Sequence, residues 1–237
     1  MDLVFATGNA GKLREAAEIL GPAYRVLSPA DVGLAGFDVE ETGTTFRENS
    51  LLKARALWQA CGLPCFADDS GLEVDALVGA PGIYSARYAS DHNFASNIDR
   101  LLAELGAVSA GAPPSGVRPS DSPHHPFGTV PPLPNRGCYV PQGETLQTFP
   151  GSARFRCVVT LILEDGKPRF FDGACEGRIA RERHGAGGFG YDPVFVPDLY
   201  PNLTMAELSE DAKNSISHRG VALRLMASWL TTQTHIL

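Results

Sequence analysis

The sequence lacks the patterns that mark a secreted, membrane-spanning or zinc-binding protein. Its 237 residues include five cysteines, an odd number without a paired C-x-x-C spacing, so neither a disulfide framework nor a structural zinc site is indicated. The first residues hold no basic segment and no apolar run long enough for a signal peptide or a membrane span. We therefore expect a reduced, cytoplasmic location.

Positive charge is also scarce. A formal net charge of −7 and a pI near 5.3 argue against a broad surface for nucleic acid or an anionic membrane. We expect a small-molecule partner instead, and an anionic one must be met by local positive charge. The candidates are Lys12, Lys53, Lys213 and Arg219. A hydrophobic fraction of 43% suits one globular domain or one domain with two lobes.

Two adjacent carboxylates, Asp68 and Asp69, follow a short apolar run at residues 64–67 that predicts a buried strand. Carboxylates placed together at a strand end suit a hard cation such as Mg²⁺. Because strand residues alternate between the two faces, only one of the pair should point into a site. We favour Asp69 as metal ligand and general base. A solvated turn at the strand end is the alternative interpretation.

A glycine-containing turn, T-G-N-A-G-K at residues 7–12, lies between a predicted strand at 3–6 and a predicted helix at 12–20. It is not a Walker A sequence, because Ala6 replaces the first glycine and Leu13 replaces the Ser or Thr after the lysine. Gly8 and Gly11 still permit a close backbone approach, and Lys12 at a helix N-terminus favours an anion. An ordinary strand-to-helix turn remains the alternative.

A second acidic pair, Glu40 and Glu41, precedes a predicted helix that begins with the capping-box residues Thr45 and Glu48 and ends near Gly62. Mg²⁺ in proteins prefers one or two carboxylates, completed by substrate phosphates and water. One of these glutamates together with a nearby aspartate would meet that preference. The alternative is that the pair complements the helix dipole.

The C-terminal third supplies groups that could recognise a base. A glycine-rich loop carries Phe189 and Tyr191, and His218 stands beside Arg219. A flat aromatic ring can stack on a base, while arginine and histidine can donate hydrogen bonds to a carbonyl on its rim. The alternatives are a buried Phe189 that anchors its loop and an exposed histidine and arginine at a helix start.

The remaining pattern predicts a single domain over residues 1–237 with one insertion. A helix at 94–105 should end at Gly106, and residues 107–152 hold ten of the eighteen prolines, which predicts a flexible insertion. Strands at 155–163 and 169–176 are spaced as a hairpin, and a short strand is expected at 194–196. Helices should begin near Met205, behind a second capping box of Thr204 and Glu207, and near Gly220.

Five segments in this order closely resemble the non-canonical purine nucleoside triphosphate pyrophosphatases, the inosine/xanthosine triphosphate pyrophosphatase family. They are T-G-N-A-G-K at 7–12, EETGTTFRENSLLKA at 40–54, ADDSGLEVDALVGAPGIYSARY at 67–88, GGFGYDPVF at 187–195 and AELSEDAKNSISHRG at 206–220. The resemblance implies an α/β fold with an elongated central mixed sheet flanked by helices, two lobes with a cleft between them, and a homodimer. It also implies Mg²⁺-dependent hydrolysis of ITP, dITP and XTP to the monophosphate and pyrophosphate, which cleanses the nucleotide pool.

The resemblance also implies a role for each matching residue. Asp69 would be the proton acceptor and a metal ligand, and Glu40 or Glu41 would assist the metal. Substrate contacts would come from Thr7, Gly8, Asn9, Ala10, Gly11, Lys12, Ser70, Phe189, Gly190, Tyr191, Asp192, Lys213, His218 and Arg219. A related pyrophosphatase acting on modified pyrimidines and a nucleotide sensor without turnover are the alternatives, and a substrate panel separates them.

Overall fold

The fold is organised around a mixed sheet of six strands in residues 1–114 and 146–234, the part of the chain that the computed structural model describes. The strands lie in the order β2-β1-β3-β4-β5-β6. β1 pairs in parallel with β2 and β3, and the other neighbours are antiparallel. Their bounds are β1 Asp2–Phe5, β2 Arg25–Leu27, β3 Cys65–Val74, β4 Ala153–Ile162, β5 Pro168–Ile179 and β6 Phe195–Pro197. This arrangement confirms the predicted α/β class with a mixed central sheet and the predicted β4–β5 hairpin.

Helices flank both faces of this sheet. Within the described residues they are α1 Ala10–Leu20, α2 Phe46–Cys61, α3 Phe94–Ser109, α4 Glu210–Ile216 and α5 His218–Thr234. Because side chains alternate along a strand, β1 serves two cores. Its Leu3 and Phe5 pack with α1 and α5, whereas Val4 packs with α2. No helix among the described residues is long and apolar enough to cross a membrane.

Local capping sets most helix boundaries. The Asn9 side chain caps α1, which therefore begins two residues before its predicted start. The Thr45–Glu48 capping box opens α2 as predicted, and Gly62 ends it in the left-handed region at a φ of 66°. The second capping box, at Thr204, is also present. It opens only the short 3₁₀ helix Met205–Glu207, so the longer helix predicted from Met205 is wrong.

The predicted end of the strand before Asp68 is wrong, because β3 continues to Val74. All ten residues of β3 pair with β4, and this pairing carries the strand through both aspartates. The strand that does end here is β1, whose last pair with β3 is Phe5 with Phe66. Asp68 and Asp69 therefore lie just beyond the carboxyl end of β1, in the middle of a long strand. They are only 2% and 8% exposed, which excludes the solvated turn.

The apolar core divides into two lobes on either side of these aspartates. On β3, Phe66 and Ala67 belong to the cores under α1, α5 and α2. Leu72 and Val74, on the same strand, belong to a separate core that includes α3, β5 and β6. The polar middle of β3 thus lies between the two lobes.

The proline-rich segment is shorter than predicted at both ends. α3 continues through Gly106 to Ser109, because one glycine inside a helix costs only about 1 kcal/mol and the residues after it are compatible with a helix. At the other end, Thr148 pairs with Ala180, and Phe149 is buried in the core. The predicted flexibility concerns residues 115–145, which lie outside the described residues. The strand predicted at 194–196 and the helix predicted near Gly220 are present, shifted by one and two residues.

Candidate active site

A polar pocket of about 280 Å³ lies where the end of β1, the start of α1 and the middle of β3 meet. Its walls come from the turn after β1 with the start of α1, the acidic loop before α2, α2 itself, the middle of β3 and the loop before α3. Its lining residues are Ala6, Thr7, Gly8, Asn9, Lys12, Phe37, Asp38, Val39, Glu41, Lys53, Asp68 and His92. The turn after β1 and the acidic loop before α2 contain the phosphate turn and the acidic pair that the sequence predicted.

The turn at residues 7–12 is fixed by its own side chains. The Asn9 carboxamide oxygen accepts hydrogen bonds from the backbone N–H groups of Gly11, at 2.8 Å, and Lys12, at 3.1 Å. The Thr7 hydroxyl accepts one from the Asn9 N–H at 3.1 Å. A Cβ placed on Gly8 would meet no atom within 4 Å, so the backbone is open to a ligand there. Phosphate contacts from this turn, including Ala10 at the start of α1, stay predictions.

Asp68 is the centre of a buried ion-pair cluster. Its carboxylate lies 3.0 Å from Lys12 Nζ and 2.9 Å from Arg219 Nε. Burial alone would raise the pKa of Asp68, but the positive charges of Lys12, Arg219 and Lys53 outweigh it and hold the pKa well below the usual range. Asp68 is therefore a permanent anion that positions Lys12 at the pocket, and it is a poor candidate for a base.

Asp69 faces the opposite side of the sheet and has different partners. The Asn49 amide donates to its Oδ2 at 3.1 Å, and Lys53 Nζ lies 3.6 Å from its Oδ1. Burial raises the pKa of Asp69 to about 6, the Glu41 charge adds to that rise, and Lys53 and Asn49 oppose it. A carboxylate with this pKa can both take and release a proton near neutral pH. The division of roles between the two aspartates stays a prediction.

The two glutamates of the acidic pair are placed differently. Glu41 lines the pocket and lies 2.5 Å from Lys53 Nζ, whereas Glu40 is exposed. The carboxylates of Glu41 and Asp69 therefore converge on one lysine ammonium group. Within the described residues no group of three or more His, Cys, Asp or Glu side chains could hold a metal ion. Two carboxylates of this kind fit Mg²⁺ only if phosphate oxygens and water complete its coordination.

Arg219 is buried, not exposed at a helix start. Its Nε donates to Asp68, its Nη1 to Glu15 at 2.5 Å and its Nη2 to the Ser70 hydroxyl at 3.4 Å. The side chain is 2% exposed, so these partners replace its hydration. Contacts of Arg219 and Ser70 with substrate stay predictions. The observed contacts indicate that Arg219 also holds α5 against α1 and β3.

The glycine-rich loop is folded around Asp192. Its carboxylate accepts from the Phe189 N–H at 2.8 Å and from Lys213 Nζ at 2.6 Å. Gly188 and Gly190 have φ values of 73° and 63°, which favour glycine. A Cβ on Gly188 would come within 2.1 Å of Asp192 Oδ2, so this hydrogen-bonded turn requires glycine.

The two aromatic residues of this loop face different surroundings. Phe189 is 44% exposed, and its ring centre lies 4.5 Å from Lys213 Nζ, so the anchoring interpretation is wrong for this ring. Tyr191 is buried, and its hydroxyl donates to the Ser85 carbonyl at 2.9 Å. We therefore expect a ligand to meet the ring of Phe189 but the backbone of Tyr191.

The ring of His218 stacks on Phe155, with the ring centres 4.9 Å apart. Burial lowers the pKa of His218 well below its ordinary value, and the neighbouring Arg219 lowers it further. Its buried Nδ1 has no hydrogen-bond partner within the described residues. A buried polar atom without a partner is costly, so a ligand that pairs with it would gain free energy. This neutral ring remains a predicted substrate contact.

Asn49 and Glu15 contact site residues but were not predicted from the sequence, and Lys53 was predicted only as one candidate positive charge for an anionic ligand. Their spacing along the predicted helices could have indicated them. Asn49 and Lys53 are four residues apart on α2, and Glu15 follows Lys12 by three on α1, so each pair shares one helix face. That spacing places each pair together but does not tell which strand it faces.

Comparison with known proteins identifies relatives over nearly the whole chain. The model of the Ham1 family matches residues 3–113 and 143–229. The dITP/XTP pyrophosphatase of Vibrio parahaemolyticus is 40% identical over 237 residues, covering 98% of this chain and 98% of that protein. That of Thioalkalivibrio sulfidiphilus is 41% identical over 230 residues, covering 95% and 96%. The solved Ham1 protein of Staphylococcus aureus has 34% identity and a TM-score of 0.73, covering 98% of this chain and 100% of that one.

Proposed function

The chain belongs to the Ham1 family, and from this premise we propose that it hydrolyses the non-canonical purine nucleoside triphosphates ITP, dITP and XTP. The products would be the nucleoside monophosphate and pyrophosphate, so the enzyme would cleanse the nucleotide pool. Its near full-length relatives are named dITP/XTP pyrophosphatases, which supports this substrate class. The observation that carries the chemistry is Asp69, a buried carboxylate with a pKa of about 6 that lies 3.6 Å from Lys53, one of the two lysines lining the pocket.

Asp69 would accept the proton of the attacking water. General bases work best when their pKa lies near the operating pH, and burial brings this carboxylate to about 6. Asn49 would hold Oδ2, since its own carboxamide oxygen accepts from the Gly43 N–H at 2.8 Å. The buried side chain of Asn49, held by Gly43, would thus orient Asp69, the general base.

The triphosphate would lie along the turn at residues 7–12. Lys12 and Lys53 line the same pocket and supply two positive charges, while Gly8 leaves its backbone open. Mg²⁺, when bound, would neutralise phosphate charge and polarise the phosphorus–oxygen bonds. Asp69 and Glu41 would hold it, in preference to the exposed Glu40. The lysine between these two carboxylates would keep them together before the ion arrives.

The purine nucleobase of the substrate would be recognised by the groups near the glycine-rich loop. The ring of Phe189 is 44% exposed and would stack on a purine, and Nδ1 of His218 lacks a protein partner within the described residues. Lys213 lies against Phe189 and is held by Asp192. We further propose a cytoplasmic homodimer, on the basis of the composition and the family resemblance.

A substrate panel tests this function. Pyrophosphate release should be measured from ITP, XTP, dITP, GTP, ATP and dUTP, with and without Mg²⁺. We expect release from the first three, dependent on Mg²⁺, and little from the others. Preference for dUTP would indicate the pyrimidine-directed alternative, and binding without release would indicate a sensor.

The pKa of Asp69 predicts how activity depends on pH. Only the deprotonated carboxylate accepts a proton, so kcat/KM for ITP should fall as the pH is lowered through about 6. The Lys53→Met variant should show the same fall at a higher pH, because Lys53 lowers the pKa of Asp69. The exposed Lys167 offers a control: Lys167→Met should keep the wild-type profile. Identical profiles for Lys53→Met and the wild type would contradict the assignment.

Replacing Phe189 should lower kcat/KM by the same factor for every purine nucleobase. Stacking on an aromatic ring is worth about 1 to 3 kcal/mol per nucleobase, so Phe189→Ala should lower kcat/KM by roughly five- to 150-fold. ITP and ATP should lose alike, since stacking reads the face of the ring and not its rim. Steady-state kinetics on both substrates check this. A loss of kcat/KM confined to ITP would mean that the loop contacts the edge groups of the purine and not its face.

A further inference from the structure

The side chain of His92 lines the pocket although it belongs to none of the five segments that suggested the function. His92 lies on the loop before α3 and lines the pocket together with Thr7, Lys12 and Lys53. It is separated from the first two by about 80 residues, and its position arises only from the fold. A histidine in this pocket adds a further hydrogen-bond donor for an anion to those of Thr7, Lys12 and Lys53.

The loop that carries His92 is anchored by a fully buried asparagine. The carboxamide oxygen of Asn97 accepts from the N–H groups of Ala89, at 2.7 Å, and Ser90, at 3.0 Å, while its amide donates to the Ala86 carbonyl at 3.0 Å. The His92 N–H donates to the same carbonyl at 2.8 Å. The histidine backbone is thus tied to the anchored turn, although its ring is exposed.

The backbone of His92 is in the left-handed region, with a φ of 52°. Among the described residues, the other non-glycine residue with a positive φ is Val78. Such conformations cost free energy and persist when the surrounding structure holds them, often at ligand-binding positions. Asparagine and histidine tolerate this region better than most residues, which provides a substitution that spares the backbone.

The ring itself is oriented by its neighbour. Nδ1 of His92 lies 2.8 Å from Oδ1 of Asp91, and the ring is 75% exposed on its other sides. When Nδ1–H donates to Asp91, Nε2 remains for a ligand, and a protonated ring donates from it to an anionic oxygen. Lys12 and Lys53 line the same pocket, where they are paired with Asp68 and Glu41, and their ammonium groups can also bind an anionic oxygen.

We propose that His92 is a substrate-binding residue whose Nε2–H donates to a phosphate oxygen of the polyphosphate. This inference rests on the proposed function, since it takes the pocket to be the triphosphate site. His92 would add a phosphate contact from the loop before α3, which lies outside the five segments. Asp91 and Asn97 act through it, the first on the ring and the second on the backbone.

Binding of inorganic tripolyphosphate in the presence of Mg²⁺, followed by calorimetry, tests the proposal without requiring turnover. His92→Asn keeps a residue that tolerates the positive φ but shortens the side chain, so the melting temperature should stay at the wild-type value. The dissociation constant should rise roughly tenfold, the low end for a hydrogen bond to a charged group, because the ring is exposed. His184→Asn is the matched control, since His184 does not line this pocket, and it should bind as the wild type does.

Kinetics on ITP separate this inference from the proposed function. With His92→Asn, KM should rise about as much as the dissociation constant while kcat stays within about twofold, as expected for a contact made equally in ground and transition states. Unchanged tripolyphosphate affinity in a folded His92→Asn variant would overturn the role of His92. If the wild type binds tripolyphosphate through His92 but releases no pyrophosphate from ITP, the proposed function fails and the phosphate contact stands.

Discussion

Replacing Asp69 with asparagine should lower kcat for ITP by about 10²- to 10⁴-fold while the protein stays folded. An amide cannot accept the proton of the attacking water, and it removes a negative charge that would balance a bound cation, which adds to the loss. The substitution preserves the size of the side chain. Asn49 can still contact the new amide, so the buried contact on this face of β3 should persist.

Steady-state ITP hydrolysis and thermal melting of Asp69→Asn measure this effect. Asp68→Asn is the informative comparison, because Asp68 pairs with Lys12 and Arg219 and should affect stability and phosphate binding more than proton transfer. Near wild-type turnover by Asp69→Asn together with an inactive Asp68→Asn would reverse the roles assigned to the two aspartates.

The Arg219→Ala variant should lose about 3 to 5 kcal/mol of the free energy of unfolding. Removing this guanidinium leaves Asp68 and Glu15 in the protein interior without the cation that pairs with both. Urea denaturation measures the loss. Arg183→Ala provides the control: it breaks the exposed pair with Asp99 and should cost less than about 1 kcal/mol. A similar small cost for both variants would show that Arg219 does not hold the cluster together.

The same variant tests the sequence-based prediction that Arg219 contacts the base. Charge-assisted hydrogen bonds are worth about 1.5 to 3 kcal/mol, so a lost contact to the six-position carbonyl should lower kcat/KM for ITP roughly ten- to a hundredfold more than for ATP. Equal losses for the two substrates would restrict Arg219 to its contacts with Asp68, Glu15 and Ser70.

Features set by neighbouring residues were predictable from the sequence. The Thr45–Glu48 capping box and Gly62 predicted both ends of α2, because capping is decided within one turn of helix. The hairpin of β4 and β5 followed from its spacing and a short polar turn. Alternation along a strand predicted that Asp68 and Asp69 would differ, and they do face different partners.

Features set by distant parts of the chain were not predictable in this way. β3 extends past Asp69 because β4, more than 80 residues later, pairs with all of it, and no local pattern reveals that partner. The partners of Asp68 come from α1 and α5, at opposite ends of the sequence. The location of His92 at the pocket depends in the same way on how the loop before α3 folds back. The five segments named the family, but only the fold could assemble these contacts.

Identification of the products formed from ITP tests the central claim most directly. Phosphorus NMR of the reaction with Mg²⁺ should show IMP and pyrophosphate as the products of the wild type, at a rate far above that for ATP. The Asp69→Asn variant should form them at no more than about one hundredth of that rate. Formation of IDP and inorganic phosphate, or equal rates for ITP and ATP, would contradict the account.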